Sequence, residues 1–173
     1  WAAQEAALDP ADCEAMLRLL AAGGGLAFYN GGEVAGASQG HRHLQWVDPG
    51  EAPPLAAAIA DGHDLAFPYA SAALPAEWLE QPARWAGACH ACYARLLAAI
   101  GRADATGVPP RPGAYNLLAT RERLWAVPRV QGHVDAVAVN ALGYAGYMLA
   151  GDHAQAASIR RHGPLSFLAR AAG

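Results

Sequence analysis

Two glycine runs near the N-terminus constrain the fold more than any other feature of this sequence. Gly23-Gly24-Gly25 follows a segment with apolar residues at helical spacing, and Gly31-Gly32 follows residues 26–30. Because such glycines end helices and strands, residues 26–30 are predicted to form one short strand after a helix. Residues 42–47 alternate between two sides and are predicted to form a second strand. The connection between them contains glycine, so the sequence predicts two antiparallel neighbours.

The rest of the chain is predicted to form short helices and strands. Asp9-Pro10 is a typical helix start, with Asp at the N-cap and Pro at the first helical position. Three prolines make residues 104–113 the best candidate for an internal linker. We expect further helices at residues 55–61, 75–101, 152–161 and 164–171, and further strands at residues 65–69, 115–120, 124–130 and 137–139.

The charge balance limits which partners the chain can bind. Fifteen acidic residues face twelve basic ones, which gives a net charge of −3, and every basic residue is Arg. This balance disfavours nucleic acid or an anionic membrane as the main partner. The longest apolar stretch, residues 136–151, is shorter than the roughly 20 residues that span a bilayer. An anionic ligand would therefore be held by guanidinium groups, backbone N–H groups or neutral side chains.

The three cysteines indicate a reduced environment. Cys13, Cys89 and Cys92 are too few, and odd in number, for a secreted disulfide scaffold. No basic-then-apolar leader is visible at the N-terminus, so we expect a soluble, cytoplasmic protein. The spacing of Cys89 and Cys92 is compatible with a zinc site, but no second pair lies nearby. We therefore predict no metal site.

Residues 30–45 combine a loop of small residues with a segment that carries imidazole and carboxamide groups at alternate positions. A spacing of two along a strand places side chains on one face, about 6.5–7 Å apart. A small-residue loop lets the backbone approach a ligand, and its successive N–H groups can bind an anion. The candidate site residues in this block are Asn30, Gly36, Ala37, Ser38, Gln39, His41, His43 and Gln45.

These groups together suit phosphoryl chemistry. A neutral imidazole such as that of His43 attacks phosphorus when a hydrogen bond to its other nitrogen fixes the tautomer. Ser38, Gln39 and the loop amides could then stabilise charge on the phosphoryl oxygens. A His-x-His pair alone is more often a surface pair or half of a metal site. The adjoining Asn-Gly-Gly and Gly-Ala-Ser-Gln segments favour the phosphoryl interpretation.

This block also resembles a known family. Its His-x-His-x-Gln pattern is similar to one branch of the histidine-triad superfamily. Within that branch, Gly-Ala-Ser-Gln-x-His-x-His-Leu-Gln resembles the ATP adenylyltransferase, or diadenosine tetraphosphate phosphorylase, family. Residues 115–120, 125–129 and 139–146 resemble the C-terminal domain of the same family.

The resemblance implies an α+β fold with a histidine-triad-like antiparallel sheet and flanking helices. It also implies that an N-terminal portion of that fold precedes Trp1 and is absent from this sequence. Residues 1–103 would form part of a nucleotidyltransferase domain with a long helix. Residues 104–113 would be a linker, and residues 114–173 would be the family's C-terminal domain.

The resemblance also assigns roles to individual residues. His43 would accept the adenylyl group, Gln45 would bind the transferred phosphate, and His41 would orient its neighbours. A carboxamide at position 45 cannot donate a proton as a third His could, which favours transfer over hydrolysis. The remaining residues would bind substrate: Asn30, Gly36, Ala37, Ser38 and Gln39, and, in the C-terminal part, Asn140, Ala141, Leu142 and Tyr147, the last standing where a Met is expected.

The implied activity is transfer of AMP between diadenosine tetraphosphate, or ADP and ATP, and phosphate through a covalent nucleotidyl-histidine, giving ATP and ADP. No tightly bound cofactor is expected, and any Mg²⁺ would arrive with the nucleotide. One alternative is uridylyl transfer like that of galactose-1-phosphate uridylyltransferase, although those enzymes usually carry Pro where this chain has Arg42. Another is a non-catalytic nucleotide-binding fragment. The oligomeric state is left open.

Overall fold

The computed structural model describes residues 1–104 and 107–173. The predicted linker, residues 104–113, includes residues 105 and 106, which lie outside the described part. The helices are α1 Pro10–Gly23, α2 Ala56–Ala60, α3 Ala76–Glu80, α4 Pro82–Ala99, α5 His153–His162 and α6 Pro164–Ala172. The strands are β1 Leu26–Asn30, β2 Gln45–Val47, β3 Ala70–Ala73, β4 Tyr115–Ala119, β5 Arg123–Pro128, β6 His133–Val134 and β7 Val137–Ala138, and two 3₁₀ turns occupy Glu33–Ala35 and Ala141–Ala145.

One antiparallel sheet forms the centre of the fold. Its strands lie in the order β2-β1-β4-β5-β3, and β6 and β7 form a separate pair. Every neighbouring pair is antiparallel. The predicted α+β class with an antiparallel sheet and flanking helices is confirmed. The predicted helix after Asp9, the strand at residues 26–30, the hairpin of β4 and β5 and the two C-terminal helices are also confirmed.

The two faces of the sheet pack against different parts of the chain. Ala27 and Tyr29 of β1 contact the apolar faces of α1 and α4 in one buried cluster. Leu26 and Phe28 point the other way, into a cluster with C-terminal residues such as Tyr144. This alternation is the two-residue period of a strand whose faces are both covered. The candidate site lies at one end of the second face.

The central sheet joins strands from both sides of the predicted linker. β1 precedes residues 104–113 and pairs with β4, which follows them. Residues on either side of that segment thus share one sheet and both core clusters. The division into two domains stays a prediction.

The strand predicted at residues 42–47 is shorter in the structure, where β2 begins only at Gln45. The side chain of Gln4 explains this, because it lies between the two strands. Its Nε2 donates to Asn30 O at 2.7 Å, and its Oε1 accepts from His43 N at 3.0 Å. His41 forms only an isolated bridge, with Ala3. The expected strand-face alignment of His41, His43 and Gln45 therefore does not hold before Gln45.

Two other predicted elements also differ from the structure, and prolines account for both. The helix predicted at residues 75–101 is interrupted at Gln81, whose φ of −136° and ψ of 64° are not helical. Pro82 follows, and proline disfavours the helical conformation of the residue before it. The strand predicted at residues 65–69 is wrong: β3 begins after Pro68, which has no N–H for a strand ladder.

The start of α1 is fixed by a capping box that also holds the segment before His43. Asp9 accepts from the backbone N–H groups of Ala11 at 2.8 Å and Asp12 at 3.1 Å, and Asp12 accepts from Asp9 N at 2.8 Å. Arg42 forms ion pairs with both carboxylates, at 2.9 Å and 3.1 Å. Burial of Asp9 opposes its ionisation, but the hydrogen bonds from Asp12 and Arg42 outweigh it and lower the pKa of Asp9.

Asp9→Ala should lower the free energy of unfolding by about 1 kcal/mol at neutral pH, because it removes the N-cap. Since the folded state lowers the pKa of Asp9, this difference is present above the unfolded pKa of about 3.9 and disappears as the pH falls through the folded value. Urea unfolding at neutral and acidic pH measures both effects. Asp64→Ala, at an exposed position, is the matched control. Equal stability of the two variants at neutral pH would contradict the capping role.

Candidate functional site

A row of polar side chains crosses the end of the sheet on its second face. Gln45 lies two positions along from His43, and its strand partner is Phe28 of the second core cluster. Asn30 lies two residues after Phe28, on the same face, and pairs with Asn116. The structure therefore brings Asn30 and Gln45 of the predicted site together. These side chains form one hydrogen-bonded group.

His43 is half-buried, and its ring is held through one nitrogen. Nδ1 lies 2.8 Å from Gln4 Oε1 and 2.9 Å from His41 O. Both partners are hydrogen-bond acceptors, so Nδ1 carries the proton. In the neutral ring this leaves a lone pair on Nε2, the nitrogen that a nucleophilic role requires. His41 is exposed, and its ring centroid lies 5.6 Å from that of His43.

Gln4 is the main site residue that the sequence analysis missed. It is 2% exposed, and the orientation of its carboxamide is unambiguous. Nε2 must face the carbonyl of Asn30, and Oε1 must face the backbone N–H of His43. Continuing the β1–β2 register by two residues would pair Asn30 with His43, so the Gln4 carboxamide takes the place of a direct backbone bond. Gln4 lies before α1, outside any helix or strand pattern, so the sequence did not indicate its role.

The carboxamide of Gln45 is bound through its oxygen. Asn30 Nδ2 donates to Gln45 Oε1 at 3.2 Å. Within the described residues, no acceptor is recorded for Gln45 Nε2. A half-buried NH₂ group with free donors is suited to bind a phosphoryl oxygen beside the ring of His43.

The loop of small residues packs against the C-terminal half of the site. Gly36 has φ +89°, and a Cβ there would lie 2.6 Å from Asn140 Cβ and 2.7 Å from Val139 O. Glycine is therefore required for this close approach. Gly36 N and Ala37 N already donate to Glu33 O and Gly32 O, at 2.8 Å and 3.2 Å. The expected anion cradle is thus smaller than residues 36–39.

Ser38 and Gln39 are the exposed residues of the predicted cradle. No acceptor for their backbone N–H groups is recorded in the described part of the chain. A groove of about 350 Å³ lies beside them, lined by Gln4, Glu5, Gly32, Glu33, Ala37, Ser38, Gln39 and Gly40. Two carboxylates and no basic side chain line this groove, so its donors for an anion are neutral.

The predicted C-terminal residues divide into two groups. Ala141 N donates to Asn30 Oδ1 at 2.9 Å, and Asn140 Oδ1 caps the 3₁₀ turn by accepting from Leu142 N at 3.0 Å. These three residues therefore lie at the polar row. Tyr147 N donates to Leu142 O at 2.9 Å, but the Tyr147 ring packs with the second core cluster. Burial and the nearby Glu51 carboxylate raise the pKa of Tyr147.

Arg129 follows directly after β5 and is only 2% exposed. The segment after β5 and α6 fold over this end of the sheet and bury it. Burial lowers the pKa of Arg129. Its guanidinium lies 5.4 Å from the Tyr144 ring centre. It donates to Asn116 Oδ1 at 2.6 Å and to the backbone carbonyls of Ala35, Gln131, Val139 and Ala171 at 2.7–3.2 Å.

Two family models match this chain. The model described as the ATP adenylyltransferase C-terminal domain covers residues 65–172. The chain belongs to this family. The model described as the Ap4A phosphorylase N-terminal domain covers residues 1–60, where Ap4A denotes diadenosine tetraphosphate. The family resemblance inferred from the sequence is confirmed. In a separate comparison, no curated protein matches the chain.

Solved structures of yeast Ap4A phosphorylase Apa2 have a similar fold. One aligns with a TM-score of 0.77 at 23% identity, covering 98% of this chain and 64% of that chain. The complex with Ap4A aligns with a TM-score of 0.79 at 21% identity, covering 99% of this chain and 66% of the yeast chain. The complex with AMP aligns with a TM-score of 0.74 at 22% identity, covering 98% of this chain and 65% of the yeast chain. This chain therefore spans just under two thirds of the yeast protein's length.

The cysteine pair offers no metal site in the described residues. Cys13, Cys89 and Cys92 are buried free thiols. Residues 1–104 and 107–173 contain no group of three or more His, Cys, Asp or Glu side chains that could hold a metal ion. In the same residues, no helix combines the length and apolarity that crossing a membrane requires.

Gln4→Met should change which nitrogen of the neutral His43 ring carries the proton. Methionine keeps the length of the side chain but removes the acceptor at Nδ1, so the Nδ1–H form should lose its predominance. Gln4→Glu retains an acceptor oxygen and should keep that form. Side-chain ¹⁵N chemical shifts of His43, recorded at alkaline pH, distinguish the two tautomers.

Gln131→Met, which replaces an exposed glutamine, is the control and should leave the ring unchanged. Backbone amide spectra show whether each variant is folded. An unchanged tautomer in folded Gln4→Met would mean that the carbonyl of His41 is sufficient to keep the proton on Nδ1 of His43.

Proposed function

We propose that this chain carries an adenylyl-transfer site in which His43 Nε2 is the nucleophile. The observation that supports this most is the pair of acceptors at Nδ1, Gln4 Oε1 and His41 O, which in the neutral ring leaves the lone pair on Nε2. Family membership favours this chemistry over the other reactions that a half-buried histidine could perform. The yeast phosphorylase has been crystallised with Ap4A and with AMP, which makes Ap4A the first substrate to test.

In the first step of the proposed reaction, Nε2 of His43 attacks an α-phosphorus of Ap4A. The P–N bond forms as the P–O bond to the ATP leaving group breaks, and ATP departs with the electron pair. The proton on Nδ1 stays in place, held by Gln4 and His41, and balances the charge that develops on the ring. A polyphosphate leaving group requires no proton, so the absence of an acid at position 45 is no obstacle.

In the second step, an oxygen of inorganic phosphate attacks the adenylyl phosphorus. The P–N bond breaks, its electron pair returns to Nε2, and ADP is released. The NH₂ group of Gln45 and the free N–H groups of Ser38 and Gln39 would bind the phosphoryl oxygens in both steps. Because Gln45 cannot protonate or activate water as an acid-base residue would, we expect transfer to phosphate rather than hydrolysis.

His43→Ala should abolish covalent labelling by Ap4A that carries ³²P in its α-phosphates. We expect an acid-labile, base-stable label on the unaltered chain, as for a phosphoramidate, and loss of essentially all of it in the variant. His63→Ala, which replaces an exposed histidine outside the site, should be labelled as strongly as the unaltered chain. Mass spectrometry of a quenched digest locates the modified residue.

The same assay separates the alternatives. Labelling by a UDP-sugar carrying ³²P in the uridylyl phosphate, but not by Ap4A, would favour uridylyl transfer. Nucleotide binding measured by calorimetry without labelling from either compound would support a non-catalytic role. Equal labelling of the unaltered chain and His43→Ala would exclude His43 as the nucleophile.

A further inference from the structure

The hydrogen bonds of the polar row all run in one direction. Arg129 Nη1 donates to Asn116 Oδ1 at 2.6 Å, and Asn116 Nδ2 donates to Asn30 Oδ1 at 2.7 Å. Asn30 Nδ2 then donates to Gln45 Oε1 at 3.2 Å. Two carboxamides thus connect the guanidinium to Gln45, two residues from the proposed nucleophile, and each of the two accepts on one side and donates on the other.

The direction of this chain is fixed by groups that cannot reverse. A guanidinium only donates, so Asn116 must present its oxygen to Arg129. The carbonyl of Ala35 only accepts, so the NH₂ group of Asn116 must face it, at 2.9 Å. The backbone N–H of Ala141 only donates, and it holds Asn30 Oδ1 at 2.9 Å. Two of the three carboxamides are therefore oriented independently of each other.

We propose that Arg129, Asn116 and Asn30 are positioning residues that turn the Gln45 carboxamide so that its NH₂ group, not its oxygen, faces the phosphoryl group. A reversed Gln45 would present an acceptor to an anion and would repel it. An isolated glutamine can adopt both orientations with little difference in energy, and the polar row removes this freedom. This inference rests on the proposed function at one point only, which is that the ligand of Gln45 is a phosphoryl group.

The burial of Arg129 supports this role. A guanidinium without a carboxylate partner is costly to bury unless all its donors are satisfied. All five N–H groups of Arg129 have acceptors, and none of these is a carboxylate. A carboxylate partner would neutralise the charge of the guanidinium. Neutral acceptors do not, so the charge of Arg129 can polarise the connected carboxamides.

Asn116→Asp tests the proposal with almost no change in shape. The carboxylate still accepts from Arg129 but cannot donate to Asn30. Asn30 Oδ1 would then face a carboxylate as well as Ala141 N–H. Because a hydrogen bond to a charged group is stronger than the neutral bond from Ala141, Asn30 should turn its NH₂ group toward the new carboxylate, and Gln45 should turn its own NH₂ group toward Asn30. We expect the affinity for AMP, measured by calorimetry, to fall by about tenfold or more, as for loss of a hydrogen bond to a charged group.

A second measurement follows the Gln45 NH₂ resonances by ¹⁵N–¹H NMR during titration with AMP. In the unaltered chain these resonances should shift, while those of Asn116 should not. In Asn116→Asp the response of Gln45 should be lost. Gln81→Glu, which adds the same charge at an exposed position outside the site, should bind AMP like the unaltered chain.

Unchanged AMP affinity and an unchanged Gln45 response in folded Asn116→Asp would overturn the proposal. If that variant does not fold, the NMR titration of the unaltered chain tests the proposal. Gln45 NH₂ resonances that do not shift when AMP is added would be evidence against it. The covalent step is judged separately. Labelling of His43 without a Gln45 response would reject only the positioning role, and a Gln45 response without labelling would reject only the covalent step.

Discussion

The buried guanidinium of Arg129 is the interaction on which this end of the molecule depends. It holds the carbonyl of Ala35 before the small-residue loop, the carbonyl of Val139 before Asn140, and the carbonyl of Ala171 in α6. Three segments far apart in sequence thus meet at one cation. Val139 O has no other donor in the described residues, and the buried guanidinium would lose its own acceptors, so the cost of separating these segments is high. The loop and the C-terminal turn are therefore held together before any ligand binds.

Gln4 performs a comparable function for the nucleophile. Its carboxamide replaces one backbone hydrogen bond of the β1–β2 ladder, which separates the strands and frees His43 from regular pairing. Arg42, the next residue back, is held by the carboxylates that cap α1. The chain around His43 is thus fixed on both sides by residues that precede β1. Geometry at the site depends on packing of the N-terminal segment as well as on the residues of the motif.

The sequence predicted those features whose causes are local. The helix start at Asp9, the strand β1 between glycines and the β4–β5 hairpin follow from capping, turn and alternation patterns. The block around His43 was found because its residue types are unusual together. By contrast, Gln4 and His43 are 39 residues apart, and Arg129 and Ala171 are 42 apart. Neither contact leaves a periodic pattern, so only the folded chain places Gln4 and Arg129 at the site.

The electrostatics of the groove restrict how such a site can bind nucleotides. Glu5 and Glu33 line it, together with neutral donors, whereas the guanidinium of Arg129 is buried behind Asn116 and Asn30 and is not part of its lining. Fixed dipoles stabilise charge locally, where the oxygens of a single phosphoryl group approach within hydrogen-bond distance. They contribute little to the remaining charge of a polyphosphate. That charge must be balanced by cations that arrive with the nucleotide or by exposed groups such as Arg111, which lies with Glu5 in the adjoining groove. If the proposed transfer takes place here, such dipoles would stabilise the phosphoryl group in transfer more than the bare substrate.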